Sequence, residues 1–250
     1  MRDRTGYACA VRYRGVTIVA CALLGAAGCS QSESPLTAAK SVVFVGDSLA
    51  EQAAQYLAPL LQPRPLVPKF LGGTAPCDWL GNDLQLTADS VVVISFTGNS
   101  ISPCMADGAG GFLAGQALID KYRADITALV DGARSAGAHV LLVGQPVRGE
   151  PLPPDNIVDE LNANYSDLAN QDGVAFVDAG AAVESPDGSF AHALPCLEGE
   201  AECDVSGSNV VRSDDGLHFC PGAPPAGPCP GYASGAFRFA KAIADAINHS

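Results

Sequence analysis

The chain has 250 residues, of which 48% are hydrophobic and 16% are charged, and its formal net charge is −13 at pH 7. An apolar fraction this high argues against a disordered chain, and the length is sufficient for one domain with a substantial core. Because so acidic a surface is repelled by phosphate backbones, we expect no nucleic-acid partner.

The N-terminus has the features of a bacterial export signal. Four arginines precede an apolar stretch, residues 16–27, that is too short to span a bilayer as a mature helix. Small residues then lead to Gly28 and Cys29, an arrangement that resembles a lipoprotein signal, in which Cys29 becomes the lipidated first residue. An ordinary signal peptide cut nearby is the alternative reading of the same segment.

These features divide the chain into three predicted segments. We expect a signal peptide over residues 1–28, a flexible polar tether over 29–40 and a single domain over 41–250. The protein is then exported and anchored by lipid to the outer face of the bacterial cell membrane, or secreted if Cys29 is not lipidated.

Strand-like and helix-like patterns alternate along the predicted domain. The strand-like runs, rich in valine and isoleucine, are 41–45, 66–70, 91–96, 139–143 and 174–177. The helical patterns cover 49–61, 114–136, 157–170 and 233–248. This alternation predicts a single flavodoxin-like three-layer α/β/α sandwich around a central parallel five-stranded sheet.

Two segments interrupt the alternation and are predicted to be loops. Residues 145–156 are rich in proline, and residues 184–231 are rich in proline, glycine and serine and carry four cysteines. A loop as long as the second is usually functional or cross-linked when it belongs to a compact domain.

A serine follows the first predicted strand directly. Gly46, Asp47 and Ser48 separate that strand from a helical pattern, which predicts a serine hydroxyl at the carboxyl end of a buried strand and beside a helix N-terminus. Open α/β sheets bind ligands at this position, and the free N–H groups of the helix can stabilise an oxyanion. The alternative is that Ser48 only caps its helix.

An acid and a histidine lie together near the other end of the chain. Asp215 and His218 are three residues apart in one loop. A serine hydroxyl is a poor nucleophile until a histidine accepts its proton, and an acid can hold that imidazole in the required tautomer. The residue types therefore favour serine-dependent acyl transfer.

The Gly-Asp-Ser turn and the Asp-x-x-His segment resemble the SGNH, or GDSL-type, hydrolase family. Ser48 matches the family's nucleophile, and Asp215 and His218 match its orienting acid and general base. Gly73, after the second strand, and Asn99, after the third, match the residues that complete the oxyanion hole with Ser48, with Gly72 as an alternative to Gly73 by one position. The third block of the family usually reads Gly-x-Asn-Asp, whereas this chain has Gly-Asn-Ser at 98–100.

The resemblance implies a serine esterase that hydrolyses small acyl esters of envelope carbohydrate or lipid through an acyl-enzyme at Ser48. Such an enzyme needs no cofactor and no metal, and we expect a monomer whose only membrane contact is the lipid anchor. Residues 73–78 and 215–219 are also similar to SGNH domains linked to bacterial sugar O-acyltransferases, so transfer of the acyl group to a sugar hydroxyl is the alternative. A non-catalytic glycan-binding lipoprotein is a second alternative.

Nine cysteines indicate an oxidising compartment. Cys9 and Cys21 belong to the predicted signal and Cys29 to the lipidation site, which leaves an even number in the domain. Even numbers in exported chains imply disulfides, although the count alone allows many pairings. Zinc is the rival interpretation, but the spacing contains no C-x2-C pair and no histidine cluster.

The cysteines of the domain fall close to the blocks that match the family. Cys77 lies four residues after Gly73, and Cys104 lies five after Asn99, so we predict a disulfide that ties the two oxyanion loops together. The other predicted pairs are Cys196–Cys203 and Cys220–Cys229, which close small loops.

Overall fold

A computed structural model describes residues 34–149, 157–198, 200–221 and 227–249 of the chain. The predicted signal peptide, the predicted lipidation site at Cys29 and most of the proline-rich loop at 145–156 lie outside the described residues.

Five parallel strands form the central sheet. They are β1 (Ser41–Gly46), β2 (Leu66–Phe70), β3 (Ser90–Ser95), β4 (His139–Val143) and β5 (Val174–Val177), in the spatial order β2-β1-β3-β4-β5. Both the number of strands and their parallel arrangement confirm the prediction. Strand order reverses at β1, which pairs with β2 on one side and β3 on the other. In open α/β sheets the crevice at such a reversal is the usual ligand site.

Helices cover both faces of the sheet. In chain order they are α1 (Pro35–Ala38), α2 (Ser48–Leu60), α3 (Gly115–Ser135), α4 (Ile157–Leu168) and α5 (Ser234–Asn248). Phe44 and Val93 belong to the core formed with α2 and α5, whereas Val45 and Ile94 belong to the core formed with α3 and α4. Because both faces of β1 and β3 are covered, these strands are continuous apolar runs. The predicted three-layer sandwich is therefore confirmed.

The predicted tether over residues 29–40 needs a correction at its C-terminal end. Ser34 caps the short helix α1 by accepting a hydrogen bond from Thr37 N, and Thr37 Oγ1 donates to Ile247 O of α5. Leu36 is buried, only 7% exposed, in the core shared with α2 and α5. The segment was predicted to be a tether because its composition is mainly polar, but its single leucine is buried and holds α1 against the core. The folded domain therefore begins by residue 34.

The long predicted loop at 184–231 contains a small hairpin that sequence patterns did not indicate. Strands β6 (Ala193–Pro195) and β7 (Ser208–Val210) pair in antiparallel fashion. Each has only three residues, which is too short to produce a recognisable alternation of apolar and polar positions.

The described residues contain three disulfides, and these join the predicted pairs: Cys77–Cys104, Cys196–Cys203 and Cys220–Cys229. The first connects two short 3-10 turns, Pro76–Trp79 after β2 and Pro103–Met105 after β3. Disulfides of this kind indicate a protein that folds outside the cytoplasm. Within the described ranges, no helix combines the length and apolar character needed to cross a bilayer.

A buried ion pair fixes the Cys196–Cys203 loop to α5. The side chains of Glu200 and Arg238 are 0% and 3% exposed, and Arg238 Nη2 donates to Glu200 Oε2 at 2.7 Å. The Ser234 hydroxyl donates to the other carboxylate oxygen of Glu200. Burial alone would raise the pKa of Glu200, but the hydrogen bonds from Arg238 and Ser234 outweigh it and lower the pKa from 4.5 to about 2.

We expect this pair to make the domain sensitive to acid. A carboxyl group whose pKa is lower in the folded than in the unfolded state stabilises the fold at pH values above its unfolded-state pKa. This contribution, on the order of 3 kcal/mol, should therefore be lost as pH falls from about 5 to about 2. Glu200→Gln should be less stable than wild type at neutral pH in urea unfolding, with the difference shrinking toward pH 2. Glu198→Gln, at an exposed neighbour, serves as the control. A difference between E200Q and wild type that does not change with pH would contradict this prediction.

Candidate active site

Ser48 is the first residue of α2 and lies at the carboxyl end of β1. Gly46 pairs with Ser95 at the end of β3, and a Cβ on Gly46 would lie 2.5 Å from both Ser95 O and Ala50 Cβ. Glycine is therefore needed for α2 to start so close to the end of β3. The turn leaves the Ser48 residue 3% exposed, with its N–H in the first turn of the helix.

His218 reaches Ser48 across 170 residues of sequence. Its Nε2 lies 2.9 Å from Ser48 Oγ, and its Nδ1 lies 2.7 Å from Asp215 Oδ2. A neutral imidazole protonated on Nδ1 donates to Asp215 and accepts from the Ser48 hydroxyl, which is the arrangement that a general base requires. The structure thus brings together all three residues that the sequence nominated for acyl transfer.

Asp215 is held in its ionised form by the backbone of its own loop. Its Oδ1 accepts hydrogen bonds from Leu217 N and His218 N, each at 2.9 Å. Partial burial alone would raise the pKa of Asp215, but these two N–H donors and the His218 ring outweigh it and hold the pKa below its usual value. A carboxylate that stays charged can orient and stabilise an imidazolium next to it.

The histidine loop is tied directly to the helix that carries the nucleophile. Phe219 N donates to Oε1 of Gln52, a buried residue of α2, at 2.8 Å. Ser213 N donates to His218 O at 2.6 Å and closes the loop on itself. The distance between Ser48 and His218 is therefore set by backbone contacts as well as by the side chains.

The loop after β2 distinguishes between the two candidate glycines. Gly72 N donates to Glu51 Oε2 of α2 at 3.1 Å, whereas Gly73 N has no hydrogen-bond acceptor among the described residues. Gly73 has φ +80°, in the left-handed region that favours glycine. Between the two, Gly73 is the one whose N–H is left for a ligand.

Asn99 follows β3, as predicted, and its amide joins two neighbouring loops. Nδ2 donates to Asp47 Oδ2 at 3.1 Å and to Thr74 O at 3.2 Å. Its backbone carbonyl accepts from the Tyr122 hydroxyl of α3 at 2.8 Å. The Gly-Asn-Ser sequence at 98–100, which departs from the family's pattern, thus still places an amide nitrogen between the loops that follow β1 and β2.

Asp47 links the nucleophile turn to the Asn99 loop, a role that sequence analysis missed. Its fully buried carboxylate accepts from Leu49 N at 3.2 Å, Thr97 N and Thr97 Oγ1 at 2.7 Å each, and Asn99 Nδ2. Burial raises the pKa of Asp47, while the hydrogen bonds from Thr97 and Leu49 and the nearby His218 favour its charged form. The sequence places Asp47 beside Ser48 but gives no sign of partners about 50 residues away.

His192 and Asp214 form a separate exposed pair. His192 Nε2 lies 2.9 Å from Asp214 Oδ1, with side chains 49% and 94% exposed. The hairpin brings the two residues together, since His192 directly precedes β6 and Asp214 lies four residues after β7. Neither side chain has a contact with Ser48 among the described hydrogen bonds.

One group of potential metal ligands occurs within the described ranges, formed by Cys77, Asp78 and Cys104. The two sulfurs are bonded to each other in a disulfide, so neither is available as a thiolate ligand. The Asp78 carboxylate instead accepts hydrogen bonds from Ala75 N and the Ser102 hydroxyl, which links the loop after β2 to the loop after β3.

Comparisons with known proteins identify both a sequence family and a fold. A family model described as "Protein of unknown function (DUF459)" matches residues 84–223, more than half of the chain. No curated protein matches.

Among solved structures, the chain is similar to a candidate acylhydrolase from Bacteroides fragilis at 19% identity, with a TM-score of 0.54, covering 84% of this chain and 86% of that one. A GDSL-like lipase from Bacteroides thetaiotaomicron matches at 17% identity and a TM-score of 0.53, covering 83% and 87%. A variant of an acetylxylan esterase from Geobacillus stearothermophilus matches at 17% identity and a TM-score of 0.55, covering 84% and 95%. At these identities the likeness shows the fold, which is that of the SGNH hydrolases.

Proposed function

We propose that this chain, which belongs to the DUF459 family, is a serine esterase that hydrolyses small acyl esters through an acyl-enzyme at Ser48. The observation that carries the proposal is the continuous series of hydrogen bonds from Ser48 Oγ to His218 and from His218 to Asp215. The fold, shared with structures described as lipases and esterases, supports the same reaction class.

The first half-reaction forms the acyl-enzyme. His218 Nε2 takes the Ser48 proton while Oγ attacks the ester carbonyl, and Asp215 stabilises the imidazolium that results. The tetrahedral oxyanion accepts hydrogen bonds from Ser48 N, Gly73 N and Asn99 Nδ2, the last in place of its resting contact with Thr74 O. Each such donor contributes on the order of 3 kcal/mol to transition-state stabilisation. Collapse expels the alcohol, which takes its proton from His218.

The second half-reaction returns the enzyme to its starting state. His218 accepts a proton from water, which attacks the acyl carbon, and the tetrahedral intermediate releases the carboxylic acid as Ser48 regains its proton. If a sugar hydroxyl replaces water, the same steps yield a new ester, so the O-acyltransferase alternative shares the first half-reaction.

We propose envelope carbohydrate or lipid as the source of the ester. The acetylxylan esterase among the similar structures acts on an acetylated polysaccharide, which supports a carbohydrate-linked acetyl group as the substrate class. The three disulfides of the described residues support a site of action outside the cytoplasm. Anchoring by lipid at Cys29, followed by action as a monomer on the nearby envelope, completes the proposal.

Covalent labelling of the nucleophile tests this proposal. A fluorophosphonate probe should add one phosphonyl group to wild-type protein, and peptide mass spectrometry should locate it on Ser48. His218→Ala should label much more slowly, because its serine lacks a base. An unlabelled wild-type protein would instead favour the non-catalytic glycan-binding alternative.

Product analysis distinguishes hydrolysis from transfer. Purified enzyme is incubated with an aryl acetate, with and without candidate sugars, and free acetate and acetylated sugar are measured. We expect acetate to exceed acetylated sugar at every sugar concentration. Acetylated sugar appearing faster than acetate would replace the esterase assignment with an acyltransferase.

A further inference from the structure

Arg212 lies buried beneath the histidine loop and contacts none of the reacting groups. It is 0% exposed and is the largest fully buried side chain of the described residues. Its Nη2 donates to Gly216 O at 3.2 Å and to Leu217 O at 2.9 Å, and its Nη1 donates to Val147 O at 2.9 Å. The guanidinium thus joins the loop after β4 to the loop that carries the acid and base.

Two of the three peptide groups between Asp215 and His218, those that join Gly216 to Leu217 and Leu217 to His218, are held from both ends. Their N–H groups, at Leu217 and His218, donate to Asp215 Oδ1. Their carbonyl groups, at Gly216 and Leu217, accept from Arg212. An anion and a cation therefore fix opposite ends of the same peptide dipoles, which leaves this turn little freedom to rotate.

The surroundings of Arg212 keep its side chain in place. The guanidinium carbon lies 5.2 Å from the centre of the Phe190 ring and 5.9 Å from that of Phe219. Burial lowers the pKa of Arg212 to about 10, while Glu184 and Asp215 oppose the decrease and Arg148 adds to it. Arg212 remains a cation at neutral pH.

We propose that Arg212 is the positioning residue of the Asp215–His218 pair, which it orients through the carbonyl groups of Gly216 and Leu217. This inference rests on the proposed function, because it concerns how the base of that reaction is held. A planar guanidinium can donate to carbonyls on two loops at once, whereas a lysine ammonium at the same place is a single point that cannot span them.

Arg212→Lys provides the main test. We expect kcat for aryl acetate to fall about 10- to 100-fold with KM changed less than about threefold, because misplacing the base affects the transition state more than substrate binding. Arg238→Lys is the matched control, since Arg238 is similarly buried but its hydrogen bonds within the described part of the chain go to Glu200, Ser234 and Pro195 alone. R238K should lower stability and leave kcat unchanged.

Arg212→Met is the second variant, in case R212K does not fold. Methionine fills much of the same volume with an unbranched and adaptable apolar side chain, so R212M can be folded while the two loop carbonyls lose their donor. A folded R212K or R212M with wild-type kcat would overturn the proposal. If neither variant folds, Arg212 is a structural residue only and the proposal also fails.

A spectroscopic measurement keeps this inference separate from the proposed function. The His218 Nδ1 proton, hydrogen-bonded to Asp215, should give a low-field proton resonance that His218→Ala removes and Ser48→Ala retains. We expect R212K to shift or broaden this resonance and R238K to leave it as in wild type. An unchanged resonance in R212K would overturn the positioning role even if wild type hydrolyses no ester, whereas inactive wild type with a shifted R212K resonance would overturn only the esterase.

Discussion

Ser48→Ala is expected to lower kcat for ester hydrolysis by at least about 10,000-fold, because removal of the nucleophile leaves only the oxyanion donors and binding to assist water. The loss should appear in initial rates with p-nitrophenyl acetate. The fold should be unaffected, since the hydroxyl of Ser48 makes one described hydrogen bond, to His218, and the helix keeps its Asp47 cap.

The control for this substitution is Ser206→Ala. Ser206 is an exposed serine in the turn between Cys203 and β7, and its alanine variant should retain wild-type kcat. A Ser48→Ala protein that keeps more than about a tenth of the wild-type rate would locate the activity elsewhere. A variant that matched wild type fully would show that Ser48 has no catalytic role and would revive the glycan-binding alternative.

Asp47→Ala is expected to lower the free energy of unfolding by about 3–5 kcal/mol and to remove most activity. The carboxylate of Asp47 accepts hydrogen bonds from Leu49 N, Thr97 and Asn99, and alanine would leave all of these buried donors without a partner. The helix would also lose its N-cap, which contributes about 1 kcal/mol. Activity should fall because Asn99 Nδ2 loses the acceptor that holds it between the loops after β1 and β2.

Urea unfolding of two further variants identifies the cause. Asp47→Asn keeps a capping oxygen and should lie between wild type and D47A in stability. Asp214→Ala removes an aspartate that is 94% exposed and should change stability by less than about 0.5 kcal/mol. If D47A and D214A unfold at the same urea concentration, the hydrogen bonds of Asp47 do not make the expected contribution to the free energy of unfolding.

Much of the fold follows from short-range patterns in the sequence. β1 and β3 are continuous valine-rich runs because helices cover them on both faces, and α2 is recognisable because an apolar stripe follows the Asp47 cap directly. The hairpin of β6 and β7 and the docking of α1 gave no comparable pattern, because each depends on two or three residues whose burial is decided by distant parts of the chain.

The sequence was enough to predict the residues of the proposed chemistry: Ser48 after one strand, Gly73 and Asn99 after two others, and Asp215 three residues before His218. The positions of Ser48, Asp215 and His218 follow from strand ends and turns, whereas Gly73 and Asn99 were predicted from the family resemblance. How these residues are held is visible in the tertiary structure alone. Glu51 accepts the hydrogen bond of Gly72 N, which leaves Gly73 N for a ligand. Asp47 binds the side chain of Asn99, which is distant in sequence, and Arg212 binds a carbonyl group of the histidine loop. A buried polar contact depends on which segments the sheet brings side by side, and no local pattern of residues records that arrangement.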